Sequence, residues 1–145
     1  MVVINYPEPA FRIRKQNGTE EIFDPLRKKW IVLTPEEWVR LNFIQFLLGV
    51  KKYPVSLIAI EKEIMLGELK KRFDILVYNS KHEPWLMVEC KAMDVQLNEK
   101  VLQQLLRYNT GLQVPFIIIT NGNYTMGWKK GETGLHEINE LPGHE

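Results

Sequence analysis

Chemistry that depends on sulfur or imidazole has little to work with in this chain. Its one cysteine, Cys90, is too few for an internal disulfide or a Cys-based zinc site and fits a reducing cytoplasm, the expected location. The three histidines, His82, His136 and His144, are scattered without ligand spacing. No apolar run approaches the ~20 residues a membrane span requires, and no basic-then-apolar leader opens the sequence, so no membrane partner is expected. Charge of one sign is not in excess either, the net value being +1. A non-specific nucleic-acid binder usually has a strongly basic surface. The total therefore does not argue for nucleic acid, although locally segregated charge leaves that partner open. Internal repeats, low-complexity segments and linkers are also missing.

What is present is the composition of one soluble globular domain: 145 residues, 45% hydrophobic and 26% charged. Residues 1–33 read as a small β region, with a hairpin in which FRIR and EEIF flank Gln16-Asn17-Gly18-Thr19. LRKKWIVL follows the Asp24-Pro25 break, and Arg14, Arg27, Lys28 and Lys29 give this part a basic cast, read as a solvated strand edge. A helix starts at Thr34-Pro35-Glu36-Glu37, with Thr34 as N-cap, Pro35 in the first helical position and Glu37 completing a capping box. Its broad apolar face, including Trp38, Val39, Leu41, Phe43 and Leu47, suits a helix packed on a sheet, and Gly49 closes it.

Pro54 to Ile64 is expected as a strand, and Met65 to Leu69 as a turn into the next. The stretch RFDILVYNSKHEPWLMVECK, from Arg72 to Lys91, then supplies two apolar strands joined by a polar bend. A helix is predicted from Asp94 to Tyr108, capped by Asp94 or Asn98 and stopped by Asn109-Thr110-Gly111. VPFIIIT reads as a strand buried on both faces, and Trp128 lies in a candidate edge strand before a polar tail, residues 129–145. Strand, helix, buried strand is a crossover unit and implies one parallel pair, whereas the short turns before it imply antiparallel ones. The expected fold is α/β, a mixed sheet flanked by helices with an N-terminal β-hairpin extension.

The chemistry concentrates at the ends of the two central strands. Asp74 opens the first, and Glu89 and Lys91 close the second, sharing one face by strand alternation. Charge on so apolar a strand is costly without a task. Mg²⁺ wants hard oxygen ligands and needs only one or two carboxylates plus water and phosphate. Asp74 and Glu89 are candidate ligands of Mg²⁺ (or Mn²⁺), with the Cys90 backbone carbonyl as a third. Lys91 is placed to orient or deprotonate a water and to offset charge on a phosphate.

The order FD…ECK resembles the PD-(D/E)xK nuclease superfamily, with Phe73 where the proline of that name would stand. Gln104-Leu-Leu-Arg-Tyr108 is similar to the QxxxY helix of its RecB-type branch. TPEEWVR, EKEI, KRFDILV, VECKA, QLLRYN and TNG, in this order over residues 34–128, resemble the N-terminal nuclease domain of type I restriction enzyme motor subunits. The resemblance implies a restriction-endonuclease-like fold and magnesium-dependent DNA cleavage. It implies metal-binding roles for Asp74 and Glu89, catalysis by Lys91, a site lined by Gln104 and Tyr108, and a first-helix acid, for which Glu36 is the candidate. Motor or specificity proteins and a homodimer are the further partners to expect. No GxxxxGK[ST] loop is present to drive translocation.

Plainer readings stand beside these. Glu89 and Lys91 would make an ordinary surface pair, Asp74 would bridge to Arg72 or Lys71, and Glu61 and Glu63 would lie on an exposed strand face. Tyr108 alone would be a core aromatic with its hydroxyl at the edge. The functional alternative from another class is a catalytically silent nuclease-fold domain that binds nucleic acid or a partner protein.

Overall fold

The computed structural model describes residues 1–109 and 113–145. Strands β1 (Ile13–Gln16), β2 (Thr19–Asp24) and β3 (Lys29–Val32) form a three-stranded antiparallel sheet. The β1–β2 turn has Asn17 at φ 53° and Gly18 at φ 79°. Both central residues are thus left-handed, as a tight two-residue hairpin turn demands. The extension is therefore larger than a hairpin, because Trp30 and Ile31 of β3 pair with Phe23 and Ile22 of β2.

Helix α1 (Pro35–Gly49) begins where its capping residues place it, with the Glu37 N–H donating to Thr34 Oγ1 at 3.1 Å. The capping box is not completed, because the Glu37 carboxylate turns away to two arginines. After α1 comes a six-stranded sheet in the order β4 (Ile58–Leu66), β5 (Leu69–Tyr78), β6 (Pro84–Cys90), β7 (Phe116–Thr120), β8 (Thr125–Gly131), β9 (Gly134–Ile138). Among the described residues only β6 and β7 pair in parallel, with helix α2 (Glu99–Asn109) between them in sequence.

The two helices cover opposite faces. Val39, Phe43, Ile44 and Leu47 of α1 pack with Ile75, Val77, Leu86, Val88, Cys90 and Ile118. Leu102, Leu105 and Leu106 of α2 pack with Phe73, Leu76, Met87, Ile117 and Ile119. An α/β mixed sheet with a helix on each face is the architecture expected of a restriction-endonuclease-like fold.

Two expected boundaries move, and two expected placements change. Residues Val55–Leu57 form a 3₁₀ turn closed by Leu57 N–H onto Pro54 O, so the strand begins at Ile58. Helix α2 starts after Asn98, whose Oδ1 accepts from Val101 N–H at 2.9 Å, while Asp94 lies in a preceding turn. The expected stop at Thr110-Gly111 lies outside the described residues. Trp128 sits on an inner strand, because Gly131 and Gly134 bracket a two-residue turn that adds β9 beside it. The stretch 129–145 is not a loose polar tail: Leu141 is buried in the α1-side core.

Candidate active site

The β5–β6 ladder runs from Pro84 to Ile75↔Val88 and stops there, so Asp74 and Glu89 stand just past the last registered pair. Asp74 takes over where the ladder ends, its Oδ2 accepting from Cys90 N–H at 2.7 Å. On its other side the β4–β5 register omits Glu61 and Asp74, lying between Ile60↔Ile75 and Lys62↔Phe73. Glu61 there has φ 51°, a left-handed conformation that costs a non-glycine residue on the order of 1 kcal/mol or more. The alternation of β5 breaks at the same point. Phe73 and Leu76 face α2, whereas Ile75 and Val77 face α1. This local irregularity turns Asp74 toward the first turns of α1.

Arg40 meets it there. Only 3% exposed, its guanidinium contacts Glu37 Oε1 at 2.5 Å, Asp74 Oδ1 at 3.2 Å, Glu61 Oε1 at 3.3 Å and Glu36 Oε1 at 3.4 Å. Arg72 pairs with Glu61 at 3.1 Å rather than with Asp74. Glu61 is thus the centre of a charged group and not a solvated strand residue, while Glu63 pairs with the exposed Lys70.

The carboxylates disturb one another. Burial, then the charge of Asp74, pushes the Glu89 carboxyl up to about 7, with a hydrogen bond to Asp74 acting in the same direction and Lys91 opposing. Glu36 is raised as well, by burial and by Asp74, with Arg40 and Lys91 pulling it back. Arg40 is raised in spite of its burial, because Glu37 and Asp74 hold its charge. The Cys90 thiol is pushed up by burial and by Asp74, which suits packing and not nucleophilic chemistry. Asp74, Glu89, Glu36 and Lys91 therefore form one electrostatic unit at the carboxyl end of β6. Lys91 continues the ladder of β6, its N–H donating to Thr120 O at 2.8 Å.

A family model for the type I restriction enzyme R protein N terminus matches residues 35–142. The chain belongs to this family. Curated proteins give no match. The R-protein N-terminal match extends past Trp128 to include β9 and Leu141, and it leaves the three-stranded sheet outside.

Within this R-protein N-terminal domain the donor set suits a hard divalent cation. Asp74 and Glu89 offer two carboxylates at one end of β6, and burial first and then the charge of Asp74 raise the Glu89 carboxyl. Among the described residues no three His, Cys, Asp or Glu side chains are grouped to hold a metal. Side chains would supply two ligands, and backbone or solvent oxygen the rest.

Gln104 and Tyr108 lie on the exposed side of α2. The inward stripe of α2 is occupied by Leu102, Leu105 and Leu106, which leaves Gln104 and Tyr108 on a neighbouring, exposed face. Tyr108 is 58% exposed, and the Lys71 ammonium sits 3.4 Å from its ring centroid. Tyr108 is therefore not a core aromatic either. Among the described residues no hydrogen bond joins Gln104 or Tyr108 to Asp74, Glu89 or Lys91. Sequence reasoning missed Arg40, and it read Arg27 and Glu61 as solvated strand residues and not as members of this charged group. One signal was available: an arginine between Val39 and Leu41 on a helix with a very broad apolar face, three and four residues after two glutamates.

Proposed function

We propose that this restriction-related, nuclease-like domain is a Mg²⁺-dependent endodeoxyribonuclease. The observation that carries the reading is the shared electrostatics of Asp74 and Glu89 beside Lys91, with Glu36 close by. In this reading Asp74, Glu89 and the Cys90 carbonyl hold the cation. When bound, Mg²⁺ offsets the charge of a phosphoryl oxygen and makes a water more acidic. Asp74 is held in place for that role by two elements, α1 through Arg40 and β6 through Cys90 N–H. Lys91 orients the attacking water and meets the charge that builds on the phosphate. Gln104 and Tyr108, exposed on α2, would contact the nucleic-acid strand and not the cation. DNA is the substrate, motor or specificity proteins of a restriction system are the partners, and a homodimer would double the basic surface offered to DNA.

One observation favours a second reading, a silent domain that binds nucleic acid or protein: Arg40 already neutralises Asp74 without any metal. Incubation of the chain with plasmid, linear, branched and single-stranded DNA in Mg²⁺ or Mn²⁺ separates the two. Cleavage is expected, and loss of each of Asp74 and Lys91 by Asp74→Ala and Lys91→Ala is expected to abolish it. Activity that survives both substitutions together, or preferential cleavage of single-stranded RNA added to the same panel, would overturn this reading.

A further inference from the structure

We propose that Arg40 is the positioning residue for Asp74, and that Arg27, in the turn between β2 and β3 of the three-stranded sheet, holds Arg40 in turn through shared carboxylates. The inference rests on Asp74 as a metal ligand. The two oxygens of Asp74 are each engaged, Oδ1 by Arg40 at 3.2 Å and Oδ2 by Cys90 N–H at 2.7 Å. The plane of the carboxylate is therefore fixed from α1 and from β6 at once.

Arg40 is fixed as firmly. Glu37 bridges two arginines, Oε1 to Arg40 at 2.5 Å and Oε2 to Arg27 at 2.8 Å. Glu61 does the same, Oε1 to Arg40 at 3.3 Å and Oε2 to Arg27 at 3.5 Å. The four side chains close a ring, Arg27–Glu37–Arg40–Glu61, and Asp74 is attached to it through Arg40. Arg27 is anchored behind by Asp24, which is fully buried and accepts from Leu26 N–H, Arg27 N–H and the Arg27 side chain. A partly buried charge network centred on a buried arginine is costly to assemble, and removing Arg40 leaves its carboxylates unpaired. It buys little stability over an apolar core, so its use here is directional: planar guanidinium forks set carboxylate orientation where a lysine would supply only a point charge.

Arg27 lies outside residues 35–142, the span shared with the family. The three-stranded sheet is thus part of the scaffold of the site in this chain, and not an appendage to it.

The test is Mn²⁺ binding by calorimetry, alongside cleavage kinetics, on the full chain well below its melting temperature. Arg40→Lys keeps the charge and loses the fork. It is expected to weaken Mn²⁺ about tenfold, the usual scale for loss of a residue that orients a ligand, and to lower kcat with little change in the KM for DNA. Arg27→Lys is expected to weaken Mn²⁺ less, and the double variant to be no worse than Arg40→Lys alone. Arg14→Lys, in the same sheet but stacked on Trp30 and paired with Glu21, is expected to bind like wild type. Folded Arg40→Lys with wild-type Mn²⁺ affinity would overturn the proposal and leave the metal reading standing. So would independent losses that multiply in the double variant. Wild-type protein that binds no Mn²⁺ would remove both. If Arg40→Lys does not fold, Arg27→Lys carries the test, and wild-type affinity there overturns the relay.

Discussion

Glu89 is a site residue whose chemistry is strongly altered by its surroundings. A glutamate ordinarily titrates at 4.5, and here burial and Asp74 raise it to about 7. In the folded chain the proton is held more tightly than in the unfolded one. Below about pH 4.5 both states are protonated and the site costs nothing. As pH rises toward 7 the unfolded state ionises first, so stability declines through that window. Glu89→Gln removes the titration. Its urea midpoint relative to wild type is expected to improve between pH 4.5 and pH 7.5, and saturating Mn²⁺ to close the gap by stabilising the wild-type carboxylate. A constant difference across that range would mean that Glu89 is not protonated in the folded state. The same proton must leave before a cation binds, so Mn²⁺ affinity should strengthen with pH up to about 7 and then flatten.

At the scale of elements, α1 carries the residues that surround Asp74, since Glu36, Glu37 and Arg40 lie within its first two turns. Its start was legible because capping is local chemistry. Thr34, Pro35 and Glu37 announce it within four residues, and Thr34 Oγ1 accepts the Glu37 N–H as expected. Thr34→Ala should therefore cost about 1 kcal/mol in urea denaturation, and more at the site than its size suggests, because the freed turn holds the ring of arginines and glutamates. A loss well below 0.5 kcal/mol would mean that the ring alone fixes the turn. The start of α2 was less legible, since Asp94 and Asn98 are both good caps by type. Tertiary contacts decide between them: Asn121 Nδ2 donates to Val95 O at 2.8 Å and pins residues 92–95 in a turn. The role of Arg40 was hidden for a similar reason. Its contact to Asp74 spans 34 residues and forms only once β5 is irregular at that acid.

The whole molecule closes at the end opposite the site, through residues that read as a polar tail. Their composition is polar, but one leucine and a run of backbone carbonyls do the packing. Leu141 is buried, Tyr53 Oη donates to Pro142 O at 2.6 Å, Lys51 Nζ donates to Leu141 O at 2.9 Å, and Ser80 N–H donates to Glu145 O at 2.9 Å. His144 stacks edge-on against Trp85, with ring centroids 5.1 Å apart. Such contacts leave no periodic trace in sequence, because one apolar residue has no period and carbonyls have no side chain. Trp85 is the second residue of β6 and Glu89 is near its end, a separation of roughly 13 Å at the rise of a strand. Leu141→Ala should therefore lower stability by about 2–5 kcal/mol, the cost of an unfilled core position, yet leave Mn²⁺ binding by the folded fraction unchanged. Urea melts and calorimetry on the same sample check both halves. A stability loss accompanied by weaker Mn²⁺ binding would mean that the two ends of β6 are coupled, and that the packed tail belongs to the site as much as the arginine ring does.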